Sequence, residues 1–420
     1  MRNAWRLTLI VVLLAAQSLG QGKRLWVLRA PGEMVEYDPA TFAVKQTVKI
    51  PTEAVQSPQS VAVNHLGQIL FAPALSLPLT EEEAHSAHKL WLWDGHAAAM
   101  IDQGAKREVA TTGSNQAVTE SAPTVYLSAD GAHLFWFANQ SRRLERENVD
   151  LSITTTWQAW QTDTSGGNRQ DLTEMKLADC RCETGACEES CPYGVVWIPE
   201  NGVDKFFLMT QFVAGQTETT YKAGTRYQEE GGKWTANSLS EPLQRVLDAA
   251  PDGNTIVEAI PDTGCCGWAN ESDDQTRVLS GGRARTVFDE RATYKNEDYD
   301  VSFYTSNALL SPEPGLVAMT IVASAEANQP IQLSEEGQAN PEESKAIRMA
   351  LGELPAVEVK SIEDSPRRIA FVPHATLVGW ISDKEILIVE DHVLVVYNVS
   401  TGARRKSSVR VEDAAHIFLR

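Results

Sequence analysis

Six stretches of this chain repeat one plan: an apolar strand, a tight polar turn holding Gly, Asp or Pro, and a second apolar strand. They are VNHLGQILFAPA (63–74), LSADGAHLFWFA (127–138), IPENGVDKFFLMT (198–210), AAPDGNTIVEAI (249–260), LSPEPGLVAMTIV (310–322) and WISDKEILIVED (380–391). QGKRLWVLR (21–29) supplies the second half of a seventh. Self-similarity on this scale marks a repeat architecture, so about 400 residues read as one large domain and not as two or three unrelated ones.

A second set of turns interleaves with the first: DPATF (38–42), DGH (94–96), DTSGGN (163–168), EEGGK (229–233), SGGR (280–283), GELP (352–355) and STG (400–402). Gly, Asp and Asn supply the positive φ that hairpins need. Each unit therefore reads as four antiparallel strands: a, short turn, b, variable connection, c, short turn, d. The expected fold is an all-β single β-propeller of seven four-stranded blades over 21–420. Blade one has b, c and d at 25–50 but no strand a before it, and AHIFLR (415–420) is an apolar strand with no blade of its own. Pairing that C-terminal strand with the N-terminal blade closes the ring and hides both open edges. A polar insertion at 323–350 holds the single helical pattern, PEESKAIRMAL (341–351).

WQTDTSGGNRQDLT (160–173) and LSADGAHLFWFA resemble the repeats of exported bacterial propellers of the TolB/WD40-like superfamily, in which an S-P-D-G turn precedes strand b and a D-x-G-G-N-x-x-x-L-T run spans the c–d turn. The resemblance implies fold and compartment. It carries over no functional residue, because these signature residues shape turns.

The N-terminus has the form of a secretory signal peptide (1–20). Arg2 and Arg6 precede an apolar run, Leu7 to Ala16, and Ser18 and Gly20 stand at positions −3 and −1 before Gln21. That run is too short to span a bilayer, which needs about 20 apolar residues. No cysteine follows it, so no lipid anchor is expected, nor stable membrane insertion; the expected location is periplasmic or secreted. Removing the two arginines takes the formal charge from −19 to −21. Such a surface repels nucleic acid and anionic lipid.

Connections b–c and d–a lie on one face of a propeller, a–b and c–d on the other. The first set holds nearly every irregular stretch: 74–88, 103–123, 138–153, 176–191, 261–275 and 323–350. Long connections on a rigid scaffold are where binding resides, so this face is the expected functional one. Both cysteine groups fall there: Cys180, Cys182, Cys187 and Cys191 between blades three and four, Cys265 and Cys266 in the b–c connection of blade five. Six cysteines in an oxidising compartment read as disulfides, with 15 possible connectivities. A vicinal Cys265–Cys266 ring and a zinc tetrathiolate from 180–191 are the competing readings. Exported quinone-dependent propeller dehydrogenases resemble the vicinal arrangement, although their repeated tryptophan docking motifs are absent here.

Trp268 is the one aromatic residue placed in a loop, a candidate ligand contact. Trp91, Trp93, Trp136, Trp157 and Trp160 alternate within strands and are expected between blades. His85 and His88, among Glu81–Glu83, are weak candidates for a divalent metal. The chain contains no G-x-S-x-G elbow, P-loop, H-E-x-x-H or C-x-x-C-H, and no catalytic residue or cofactor is predicted. The expected function is non-catalytic binding of a protein, peptide or glycan of the cell envelope through the long-looped face. The alternative is a lactonase-like or quinone-dehydrogenase-like enzyme with a metal or cofactor in its central pocket.

Overall fold

The computed structural model describes residues 23–29, 32–50, 61–64, 66–71, 90–102, 116–120, 124–127, 133–146, 149–163, 170–175, 180–183, 186–187, 190–200, 203–214, 219–230, 233–243, 245–250, 254–260, 275–294, 299, 301–326, 328, 330–331, 333, 340–411 and 414–420. Between 133 and 242 it describes backbone path and strand register, with Leu134 the one side chain placed.

Seven antiparallel sheets follow one another along the chain, each led by an innermost strand a. Blade one holds β1 (Leu25–Arg29), β2 (Glu33–Tyr37) and β3 (Val44–Lys49). Blade two is β4 (Val61–Val63), β5 (Ile69–Phe71), β6 (Leu90–Trp93) and β7 (Ala98–Asp102). Blade three is built on β9 (Thr124–Leu127), β10 (His133–Arg146), β11 (Val149–Asp163) and β12 (Gln170–Met175), with β8 (Gln116–Glu120), β13 (Cys180–Glu183) and β14 (Ala186–Cys187) added to it. Blade four is β15 (Ser190–Glu200), β16 (Val203–Ala214), β17 (Thr219–Glu230) and β18 (Lys233–Leu243). Blade five is β19 (Arg245–Ala249), β20 (Thr255–Ile260), β21 (Gln275–Ser280) and β22 (Arg283–Asp289). Blade six is β23 (Phe303–Leu310), β24 (Leu316–Ala323), β25 (Ala356–Ser361) and β26 (Arg368–Pro373). Blade seven is β27 (Ala375–Ser382), β28 (Glu385–Glu390), β29 (Val393–Asn398) and β30 (Arg404–Arg410). The chain is an all-β, seven-bladed propeller.

Blade one takes its strand a from the other end of the chain. β31 (Ala414–Leu419) pairs with β1 from Leu25↔Leu419 to Arg29↔Ala414, with a bulge at Leu28/Arg29. The ladder ends in two further backbone bonds, Arg24 N to Arg420 O at 2.6 Å and Arg420 N to Arg24 O at 3.0 Å.

The run Leu25–Leu28 has no polar break because both faces of its sheet are covered. Successive side chains of a strand point to opposite faces. Trp26 and Leu28 pack with Val61, Ile69, Phe71 and Trp93 of blade two. Leu25 and Val27 pack the other way, with Leu387, Leu394 and Val396 of blade seven. Blade seven repeats the device: Ile386 and Ile388 join Val357, Val359 and Val372 of blade six, while Leu387 faces blade one. Each such side chain contributes about 1.5–3 kcal/mol. Of the expected interblade tryptophans, Trp93 meets Trp26 across the first seam, edge-on at 5.9 Å, while Trp91 stacks on Phe71 of its own blade at 6.5 Å; the side chains of Trp136, Trp157 and Trp160 lie outside the described ones.

Two helices interrupt the strands among the described residues. α1 (Glu290–Tyr294) follows β22, and its Glu290 carboxylate accepts the Phe303 N–H of the next blade at 2.7 Å. α2 (Pro341–Leu351) confirms the helical pattern in the insertion. Asn340 caps it by accepting from the Glu342 N–H at 3.1 Å, Pro341 stands where no intrahelical donor is needed, and Ile347 and Leu351 are buried.

Candidate functional site: the two mouths of the propeller

On the a–b/c–d face the turns are short and built by their own side chains. Asp94 Oδ1 accepts from the N–H groups of His96 (2.8 Å) and Ala97 (3.0 Å), with Gly95 at φ +107°. Asp38 does the same for Ala40 and Thr41, and Asn398 for Ser400 and Thr401. Backbone donors stabilise the ionised forms, so both carboxyls titrate low, Asp38 chiefly through Thr41 and Asp94 chiefly through Ala97. These residues shape turns, as their sequence pattern implies.

The opposite face differs from expectation. The stretches 103–123, 138–153 and 176–191 read as irregular connections, but each contains strand, Gln116–Glu120 in the first and most of the second. The inner half of β10 pairs with β9 (Leu134↔Leu127 to Phe137↔Thr124), and the inner half of β11 pairs with β12, which completes an ordinary blade. Beyond it the two strands run on together to Arg146↔Val149. On this outer half β8 pairs with β10 (Gln140↔Glu120 to Leu144↔Gln116) and β13 with β11 (Ser152↔Arg181, Ile153↔Cys180). The result is a projecting sheet of order β14-β13-β11-β10-β8. At about 3.3 Å per residue, Gln140–Arg146 carry it roughly 20 Å past the blade. β16 and β17 of blade four, 12 residues each, extend on the same side. The outer half of β10, Gln140–Arg146, is polar apart from Leu144 and so offers no apolar period, whereas the outer half of β11 does carry a strand signal, with Val149, Leu151 and Ile153 alternating with Asp150, Ser152 and Thr154.

The cysteines of 180–191 are thus on strands: Cys180 and Cys182 in β13, Cys187 in β14, Cys191 in β15 opposite Phe212. Cys182 and Cys187 are register partners. Cys265, Cys266, Trp268, His85 and His88 lie outside the described residues. Among the described residues no group of three or more His, Cys, Asp or Glu side chains is placed to hold a metal ion, and no helix is long and apolar enough to cross a membrane.

The sequence held no signal for a second cluster, at the hub on the short-turn face. Lys23 precedes strand b of blade one, Arg420 follows its strand a, and Asp248 lies near the end of β19, the strand a of blade five. The three charges sense one another across the ring. Burial pushes Asp248 up to about 6, against the Leu310 and Ala249 N–H groups and the two cations. Burial likewise lowers Lys23 and Arg420. Both cations keep part of their surface open to solvent. Polar stitches between neighbouring inner strands fix the cluster. Asp248 Oδ2 accepts the Leu310 N–H at 2.7 Å, Trp380 Nε1 donates to Leu309 O at 2.9 Å, and Arg420 Nε donates to Val63 O at 3.1 Å.

No family model matches the sequence, and no curated protein matches it. Solved structures do match. An acylaminoacyl peptidase from Pyrococcus horikoshii is 13% identical with a TM-score of 0.42, covering 90% of this chain and 48% of its own. A GH74 xyloglucanase from Xanthomonas campestris is 9% identical with a TM-score of 0.46, covering 96% and 52%. Apo AztD from Citrobacter koseri is 9% identical with a TM-score of 0.37, covering 95% and 98%. The chain spans about half the length of the peptidase and the xyloglucanase. At these identities the likeness concerns fold, and the architecture rests on the strand pairing itself.

Proposed function

We propose that this chain is an exported, non-catalytic propeller that captures a protein, peptide or glycan of the cell envelope on its b–c/d–a face. The observation that carries the reading is the sheet projecting from blade three. Continuous backbone pairing holds it in a fixed shape on a rigid ring, and a preformed surface loses little freedom on binding. The leader-like N-terminus supports export, and the acidic balance supports a partner that is neither nucleic acid nor anionic lipid.

The test follows from register. Gln140 and Thr156 are partners, so replacing 141–155 with Asn-Gly leaves a two-residue hairpin on an intact inner blade. Photo-crosslinking in intact cells should yield a defined envelope adduct with the native chain and lose it with the trimmed one, both unfolding at similar temperatures. An adduct that survives trimming would place the partner elsewhere.

One observation favours the enzyme reading instead. A carboxyl pushed up to about 6, in the field of the Lys23 and Arg420 cations, is suited to acid–base work. Turnover of a lactone or alcohol substrate that Asp248→Asn abolishes would establish that reading and displace the first.

A further inference from the structure

We infer that Cys182 and Cys187 form a cross-strand disulfide that locks the β13–β14 hairpin at the rim of the projecting sheet. The inference rests on the export reading for its oxidising compartment and on strand register for its geometry. β13 and β14 are joined through two residues, with Glu183 opposite Ala186 and Cys182 opposite Cys187. In a hairpin with a two-residue connection the flanking pair exchanges backbone hydrogen bonds, and the next pair outward is the closer, non-hydrogen-bonded kind. Cα atoms of such a pair lie about 4.5 Å apart, within the roughly 4.4–6.8 Å that a disulfide spans.

Other partners fit less well. Cys180 and Cys182 are two apart on one strand, where an extended chain separates Cα atoms by about 6.6–7 Å, the edge of the permitted range. Cys191 belongs to another sheet, opposite Phe212. The pairing leaves Cys180, Cys191, Cys265 and Cys266, an even remainder. Its consequence concerns recognition. A rim pair of only two residues on each strand is free to slip, and a one-residue slip would turn every side chain to the other face; a covalent bond between opposed positions forbids it.

Chemically, the two thiols lose two protons and two electrons as the S–S bond forms. A disulfide oxidant, either oxidised glutathione or a protein disulfide, takes them up and is reduced to two thiols.

The test is peptide mapping of the full chain, purified from an oxidising compartment without reductant and with free thiols alkylated. Trypsin with a glutamate-specific protease cuts after Arg181, Glu183 and Glu188. The inference expects Cys182–Glu183 joined to Thr184–Glu188, a mass that disappears on reduction and in Cys182→Ser. The reduced chain, reoxidised in a glutathione buffer, should give the same pair. If cellular material is fully alkylated but reoxidation still yields Cys182–Cys187, the geometry stands and the export reading falls. Cys182 linked to any other cysteine, both residues alkylated after reoxidation, or thiolates held by stoichiometric zinc would overturn the inference.

Discussion

Arg420 donates from Nε to the carbonyl of Val63 at 3.1 Å, which ties β31 to the innermost strand of blade two across 357 sequence positions. The ring is fastened there in two directions, by this bond and by the β1–β31 ladder. Arg420→Ala should cost about 1.5–3 kcal/mol, the range for a hydrogen bond from a charged donor. Deleting 414–420 strips β1 of its partner and uncovers Leu25, Val27 and Trp26. The expected result is loss of the cooperative thermal transition and association on size exclusion; a monomer with a native-like transition would refute the closure.

Gly67 stands under the guanidinium of Arg24. An added Cβ would lie 2.0 Å from Arg24 Nη1, at a backbone φ of +83°. Arg24 can swing aside, but it then leaves Glu36, a buried carboxylate it meets at 3.5 Å. Gly95, at φ +107°, has open space around it. Both alanine variants carry backbone strain of roughly 1 kcal/mol, and Gly67→Ala should cost more by the lost ion pair. In an Arg24→Ala background the two should become equal by urea denaturation. An unchanged gap would mean that Arg24 is not the obstacle.

Asp248 predicts a pH dependence whose sign is set by its raised pKa. The folded carboxyl titrates at about 6 against an ordinary aspartate value of 3.8, so between these pH values the native state holds the extra proton. Stability therefore falls as pH rises through this window, by about 1–3 kcal/mol, and the penalty persists above it. Asp248→Asn keeps an acceptor for the Leu310 N–H and removes the charge. Its unfolding free energy should be flat from pH 4 to pH 6 where the native chain's declines. A parallel decline in both would exclude Asp248 as the source.

Trp26 is fully buried, and its indole N–H has no acceptor among the described residues. Trp26→Ala should cost about 3–5 kcal/mol through cavity formation at the first seam. Trp26→Phe, which forfeits no hydrogen bond, should cost well under half of that. Equal losses by thermal denaturation would show that the indole nitrogen matters after all.

How much of this was legible in the sequence differs by element. The blades were readable because a strand buried on both faces must be apolar throughout, as in Leu25–Leu28 and Ile386–Val389, and because Asp38, Asp94 and Asn398 fold their turns through bonds to neighbouring residues. Closure was readable from an unmatched strand at each end. The projecting sheet escaped because Gln140–Arg146 is an almost unbroken polar run; the alternation of Val149, Leu151 and Ile153 on the partner strand was the signal that could have found it. The hub cluster escaped for another reason. Lys23, Asp248 and Arg420 have ordinary local surroundings, and only the curvature of seven sheets brings them together. Of the cysteines, spacing could not reveal that Cys182 and Cys187 share a register position; the hairpin had to be seen first.

The β1–β31 pairing also sets an order of events. β1 is among the first strands to emerge during synthesis, and its inner neighbour is made after the other thirty described here. Until then its inner edge offers unpaired N–H and C=O groups to any strand nearby. Contacts between such distant segments are slow to form. Until β31 is made, the inner edge of β1 can therefore pair with a strand of a second copy, and the pairing that completes blade one is the same one that removes this hazard.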